Sequence, residues 1–135
     1  MTDVVLKVED LAVEFDTYGG TVQAVQGVSF EVERGRTLAI VGESGCGKSV
    51  TVQSLMGLIP APPGRITRGS ATLNDEEILG ISAEADSRFR GSKVSMIFQD
   101  PMTSLNPTMT IGNQIAETLI VHRGKSHKEA YAIAI

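Results

Sequence analysis

Between a short apolar run and a proline-free segment lie the residues Gly42-Glu43-Ser44-Gly45-Cys46-Gly47-Lys48-Ser49, and they constrain the fold more than any other stretch of the chain. They fill every fixed position of the pattern G-x-x-x-x-G-K-[ST]. The chemistry behind the pattern is specific. Glycines let backbone amides turn inward as a nest for an anion, and no Cβ blocks the approach. A helix starting at the end of the loop points its partial positive charge and unpaired amides at the same spot. Lys48 adds a full charge suited to β- and γ-phosphates, and the Ser49 hydroxyl is a hard oxygen ligand for Mg²⁺. The four fixed positions match by chance in on the order of 1% of chains this long, so a merely flexible glycine turn is the poorer reading.

The pattern also demands a strand before the loop and a helix after it. Thr37-Leu38-Ala39-Ile40-Val41 is a nearly continuous apolar run, as expected of a strand buried on both faces of a parallel sheet. Residues 48–58 read as a helix with Val52, Leu55 and Met56 facing inward, stopped by Pro60-Ala61-Pro62-Pro63-Gly64. Upstream, residues 4–15 are rich in β-branched residues and suggest a strand or two bent at Glu9-Asp10. Tyr18-Gly19-Gly20 reads as a turn, and residues 24–33 as a second strand with Val28, Phe30 and Val32 on one face. Glu33-Arg34-Gly35 reads as a further turn between antiparallel strands.

Downstream, residues 69–81 predict a small strand and turn, residues 82–90 a short helix, and residues 94–98 another strand. Ser126 followed by Glu129 is a capping box, announcing a helix at about residue 127. The sequence stops inside that apolar helix without a Gly, Asn or basic last turn, which predicts a truncated domain.

Composition removes several classes. With 16 acidic and 12 basic residues among 135, the net charge of −4 argues against a nucleic-acid binder. Aromatics at 4% and the absence of Trp argue against base-stacking platforms. Cys46 is the single cysteine, so no intrachain disulfide and no cysteine-built zinc site can form, and an intracellular setting is expected. No apolar run approaches the roughly 18 residues needed to cross a bilayer, so any contact with a membrane is expected to run through a partner. Cys46 itself sits at a variable loop position, where a small side chain fits the turn; beside Lys48 its thiol gains modest reactivity. His122 and His127 are isolated and read as solvated helix-surface residues.

Val94-Ser95-Met96-Ile97-Phe98-Gln99-Asp100-Pro101 admits two readings. An apolar strand ending in Asp100 would suit the metal-binding carboxylate of a soluble phosphate-loop enzyme, such as a small-molecule kinase. Gln99 interrupts that run, however, and Pro101 follows at once. The second reading is a resemblance. Residues 40–49, together with Met96-Ile97-Phe98-Gln99-Asp100-Pro101-Met102-Thr103-Ser104-Leu105-Asn106-Pro107, resemble ABC-transporter ATP-binding subunits, in particular the oligopeptide/dipeptide (and nickel) importer branch. Gln99 lies 51 residues after Lys48, where such proteins carry their Q-loop glutamine. The resemblance spans residues 4–135.

It implies an α/β fold: part of a P-loop NTPase-type ABC nucleotide-binding domain, with an antiparallel β-subdomain and the start of a helical subdomain. It implies ATP and Mg²⁺ as ligands, held by Gly42, Glu43, Ser44, Gly45, Cys46, Gly47, Lys48, Ser49 and Val50, with Lys48 and Gln99 serving hydrolysis and Ser49 and Gln99 the metal. An aromatic ring, Tyr18 or Phe15, stacks on adenine in this picture. Transmembrane permease subunits and a second nucleotide-binding subunit, identical or not, are the implied partners. The implied location is the cytoplasmic face of a bacterial membrane. The family's signature motif, Walker B segment and switch histidine lie beyond these residues, so the 135 residues alone are expected to be catalytically inactive. An inert piece without activity stands beside the transporter and kinase readings.

Overall fold

Alternating β-branched residues and one two-residue turn build the first element of the fold. The computed structural model describes residues 3–80, 89–100 and 104–135, and the chain divides into two compact units, Met1–Ser82 and Ala83–Ile135. In the first unit, β1 (Val4–Thr17) and β2 (Gly20–Glu33) form a long antiparallel hairpin closed by Tyr18 and Gly19. β3 (Gly64–Leu73) pairs with the other side of β1, and β4 (Glu76–Glu77) with β3, giving the order β2-β1-β3-β4.

The bend expected at Glu9-Asp10 is a bulge. Asp10 takes a left-handed φ of 48°, its N–H donates to Ser29 Oγ at 2.9 Å, and its carboxylate accepts from Arg68 Nε at 2.8 Å. The extra residue shifts the inward parity, so Val8 before it and Leu11 and Val13 after it all point into the core. Opposite the bulge, Gly69 has φ 109°, and a Cβ there would stand 2.6 Å from Leu11 Cα. Only glycine lets β3 approach so closely. Val25, Ala71, Leu73 and Ile78 complete the sheet's apolar side.

α1 (Lys48–Leu55) buries Thr51, Ser54 and Leu55. It ends earlier than the prolines suggest. Gly57 adopts φ 62°, its N–H bonds Ser54 O at 3.1 Å, and Leu58 N–H bonds Gln53 O at 2.9 Å. These paired bonds form the helix-ending motif that a left-handed glycine permits. The stop signal is thus Gly57, with the prolines lying beyond it.

Two expected strands are corrected. Residues 37–41 form no strand, and Val41 is 86% exposed where burial on both faces was expected. Residues 94–98 likewise form none beyond a single bridge between Arg90 and Val94, and Ile97 is 98% exposed. The reason is common to both. A strand exists only against hydrogen-bonded neighbours, and the described residues supply no parallel sheet for these runs. β2 and β3 also begin earlier than expected, at Gly20 and Gly64. The helix expected over residues 82–90 falls almost entirely outside the described residues.

In the second unit, α2 (Ile111–Arg123) and α3 (His127–Ala134) pack as a hairpin. Thr110 caps α2 by accepting from Asn113 N–H, and left-handed Gly124 ends it after His122 and Arg123, whose position suits the negative end of the helix dipole. Ala116 and Ala130 are fully buried, and Gly112 leaves room for the Tyr131 ring. The capping box of Ser126 and Glu129 forms as expected: Ser126 Oγ accepts from Glu129 N–H, and Glu129 Oε2 accepts from Ser126 N–H at 3.1 Å.

Candidate functional site

The residues from Gly42 to Val50 come together as one loop running into the start of α1. Gly45 and Gly47 have φ of 83° and 90°, the conformation that turns successive amides to one side. Gly47 is required twice over. Besides its left-handed φ, a Cβ there would lie 2.4 Å from the Ala24 carbonyl oxygen on β2. The β2 backbone thus abuts the helix start and fixes its position. A Cβ at Gly45 would meet nothing within 4 Å, so the space above that residue is open.

The amides of Lys48, Ser49 and Val50 precede the first intrahelical bond, from Thr51 N–H to Gly47 O at 2.8 Å. Gly47 has no side chain with which to cap them, and no acidic residue occupies the first turn. This is the donor arrangement that suits an incoming anion. Ser49 is exposed beside it, whereas Val50 is half-buried.

Lys48 bends back over its own loop. Its Nζ donates to Gly42 O at 2.7 Å and Glu43 O at 2.6 Å, with Cys46 Sγ at 3.5 Å. An ammonium has three protons, so the third points to the weakest acceptor of the three. Cys46 closes the neck of the loop: a Cβ on Gly42 would approach its sulfur to 2.6 Å. A cleft of about 430 Å³ borders Lys48 and Thr51, walled by Val28 and Phe30 of β2 and by Ile40 and Val41. Glu43 and Ser44 are exposed on the loop.

The two aromatic candidates differ. Phe15 is half-buried in β1, and its ring edge would stand 3.0 Å from a Cβ on Gly64, so it packs within the sheet. Tyr18 projects fully exposed at the hairpin tip. Gln99 and Asp100 belong to the second unit and are exposed, on a segment without strand structure. Met102 lies outside the described residues.

His127 is exposed on its helix as expected, whereas His122 is more enclosed than its sequence context suggests. His127 stacks on Tyr131 with ring centroids 6.2 Å apart, and half-buried His122 sits where a Cβ on Gly91 would meet its Nε2 at 2.5 Å. Among the described residues, no group of three or more His, Cys, Asp or Glu side chains could hold a metal ion. One notable polar contact had no sequence signal: the Gln114 side chain grips the turn at Asn106. Its residue type and spacing are ordinary for a helix.

The family model for ABC transporters matches residues 25–134. The chain is 53% identical over 126 residues to the dipeptide transport ATP-binding protein DppD of Bacillus subtilis, covering 93% of this chain and 38% of that protein. It is 54% identical over 125 residues to the oligopeptide transport ATP-binding protein OppD of the same organism, covering 93% of this chain and 35% of that protein. A dimeric ATP-binding cassette in a post-hydrolysis state with ADP and Pi superposes with a TM-score of 0.76 at 20% identity, over 96% of this chain and 53% of that one. The chain therefore spans between a third and two-fifths of the length of these curated relatives.

Proposed function

The chain belongs to the ABC transporter family, with the fold of a partial ABC nucleotide-binding domain, and on that premise we propose that it is the amino-terminal portion of the ATP-binding subunit of a bacterial di- or oligopeptide importer. The observation that carries this reading is the loop from Gly42 to Ser49, with uncapped amides at the start of α1 and Lys48 poised over it. The names and identity of the peptide-transport relatives support the solute class.

The residues present fit a polyphosphate. The amides at the start of α1 and the open space over Gly45 receive phosphate oxygens without a steric penalty. Lys48 exchanges its thiol contact for a phosphate oxygen while keeping its hold on Gly42 O and Glu43 O. Mg²⁺, when bound, supplies charge neutralisation between the phosphates. Ser49, exposed at the start of α1, would hold it. Catalysis by the chain's own groups is electrostatic: fixed amides and Lys48 face the charge that grows on the γ-phosphate.

Tyr18 is the better candidate to stack on adenine, because its exposed ring face is free of the sheet packing that engages Phe15. Gln99, whose amide both donates and accepts, links the nucleotide to permease subunits, with Leu105 as an apolar docking point that is 53% exposed. A second nucleotide-binding subunit supplies the opposing motif. Attachment to the cytoplasmic face of the membrane runs through these partners; no helix of the described residues is long and apolar enough to cross a membrane. Residues 1–135 by themselves bind nucleotide without steady turnover. A soluble kinase would need Asp100 at the end of a buried strand, and residues 94–98 form no such strand. The test is ATP hydrolysis by the assembled transporter in vesicles, with and without peptide and its binding protein. Stimulation by peptide is expected; hydrolysis indifferent to every peptide would overturn the assignment.

A further inference from the structure

We propose that Gln114 is a positioning residue, whose carboxamide clamps the turn from Asn106 to Met109 onto the first turn of α2 and so fixes how Leu105 is presented to the permease subunit. Gln114 Oε1 accepts from Asn106 N–H at 3.0 Å, while its Nε2 donates to Asn106 O and to Met109 O, each at 3.0 Å. One side chain thus pairs with both backbone groups of Asn106, as a neighbouring strand would. The turn is further closed from within. Asn106 Oδ1 accepts from Thr108 N–H at 3.0 Å and from Thr108 Oγ1 at 2.7 Å, and Met109 N–H donates to Asn106 O at 3.2 Å. Pro107 fixes one φ between them.

The position of Gln114 gives the clamp its meaning. With Thr110 as the N-cap, Met109 precedes the cap and Gln114 is the fourth helical residue. Those two places ordinarily carry an apolar pair that staples the entering chain to the helix. A staple of that kind is non-directional and serves stability. Here a half-buried amide replaces it, while apolar Leu105, Ile111 and Ile115 stay 53%, 54% and 47% exposed. Three directional bonds hold the turn to a single orientation, which an apolar contact would leave loose. A displacement of the turn is then carried into α2 as a rigid unit, the form that hinge-type switching takes.

This inference rests on the proposed coupling roles of Gln99 and Leu105, and its test separates the two. Gln114→Met keeps the volume and restores an apolar staple, so the helix entry stays formed while all three bonds are lost. Amide hydrogen exchange in the chain should show Asn106 N–H exchanging at least about tenfold faster in this variant, as expected when a protecting hydrogen bond is removed. In the assembled transporter, Mg-ATP affinity should stay within about twofold while peptide transported per ATP hydrolysed falls. Leu105→Ala should give the same fall, and the double variant no further one. Unchanged exchange at Asn106, or faster exchange with normal transport per ATP, overturns the clamp. If Leu105→Ala uncouples and Gln114→Met does not, Gln114 alone is misassigned. If Gln99→Ala and Leu105→Ala both leave coupling intact, the coupling roles themselves are misread and the clamp's role falls with them.

Discussion

Removing the Lys48 ammonium should weaken nucleotide binding without unfolding the protein. Its Nζ already holds Gly42 O at 2.7 Å and Glu43 O at 2.6 Å, and its third proton faces only the Cys46 sulfur at 3.5 Å. Phosphate binding therefore exchanges one weak N–H···S contact for a charge-assisted N–H···O bond. Such a bond contributes about 1.5–3 kcal/mol. At about 1.4 kcal/mol per tenfold, Lys48→Ala should raise the dissociation constant for Mg-ATP about 10- to 150-fold. Folding should suffer much less. Gly42 and Glu43 are exposed, so their carbonyls regain hydrogen bonds from water, and the loss should stay below about 1 kcal/mol. Titration calorimetry with Mg-ATP gives the first quantity and thermal melting of the nucleotide-free protein the second. A dissociation constant within twofold of wild type would refute the reasoning. So would a loss of affinity fully matched by unfolding, since the side chain would then be structural.

Gly47→Ala should lower stability as well as binding, because its Cβ would press on Ala24 O at 2.4 Å from a left-handed backbone. Strain of this kind costs about 1–3 kcal/mol, read as a lower melting temperature together with weaker ATP binding; an unaltered melt contradicts the loop geometry. Tyr18→Ala should weaken ATP binding by about 1–3 kcal/mol, as the loss of one base-stacking ring does, while Phe15→Ala should act mainly on sheet stability. The reverse pattern in calorimetry would move adenine to Phe15. The Ser126 hydroxyl, then its backbone N–H, then Lys125 hold the Glu129 carboxyl below the usual glutamate range. A lowered carboxyl stabilises α3 above the ordinary glutamate pKa and loses that contribution as pH falls through the folded value. The circular-dichroism signal of α3 should therefore fade in acid, and Ser126→Ala should flatten that dependence; identical acid titrations for both proteins would exclude the capping box as its cause.

What the sequence makes legible is what depends on local chemistry at fixed spacing. The loop from Gly42 to Ser49 is readable because each fixed position answers to sterics or charge, and Gly47 adopts a left-handed φ of 90° where a glycine is demanded. The capping box at Ser126 and Glu129 and the turn at Tyr18-Gly19 are local in the same sense. Residues 37–41 and 94–98 are different. Their apolar composition states a preference for burial in a sheet, but pairing belongs to partners distant in the chain, and Val41 and Ile97 remain exposed. The end of α1 is misread because two stop signals stand close together, and the nearer one, Gly57, acts first. Gln114 is invisible beforehand, since a long amide can reach any neighbouring turn and no spacing rule marks which one it holds. Gly91 against His122 is hidden for a related reason: the contact joins a loop to a helix with no periodicity to announce it.

Peptide import is tested most directly by uptake of a labelled di- or oligopeptide into membrane vesicles carrying the assembled transporter and loaded with ATP. Uptake should require ATP and Mg²⁺, be abolished by Lys48→Ala, and continue at reduced yield per ATP in Gln99→Ala. Peptide uptake that survives the loss of ATP or of the Lys48 charge, or ATP-driven uptake confined to solutes other than peptides, would contradict this assignment.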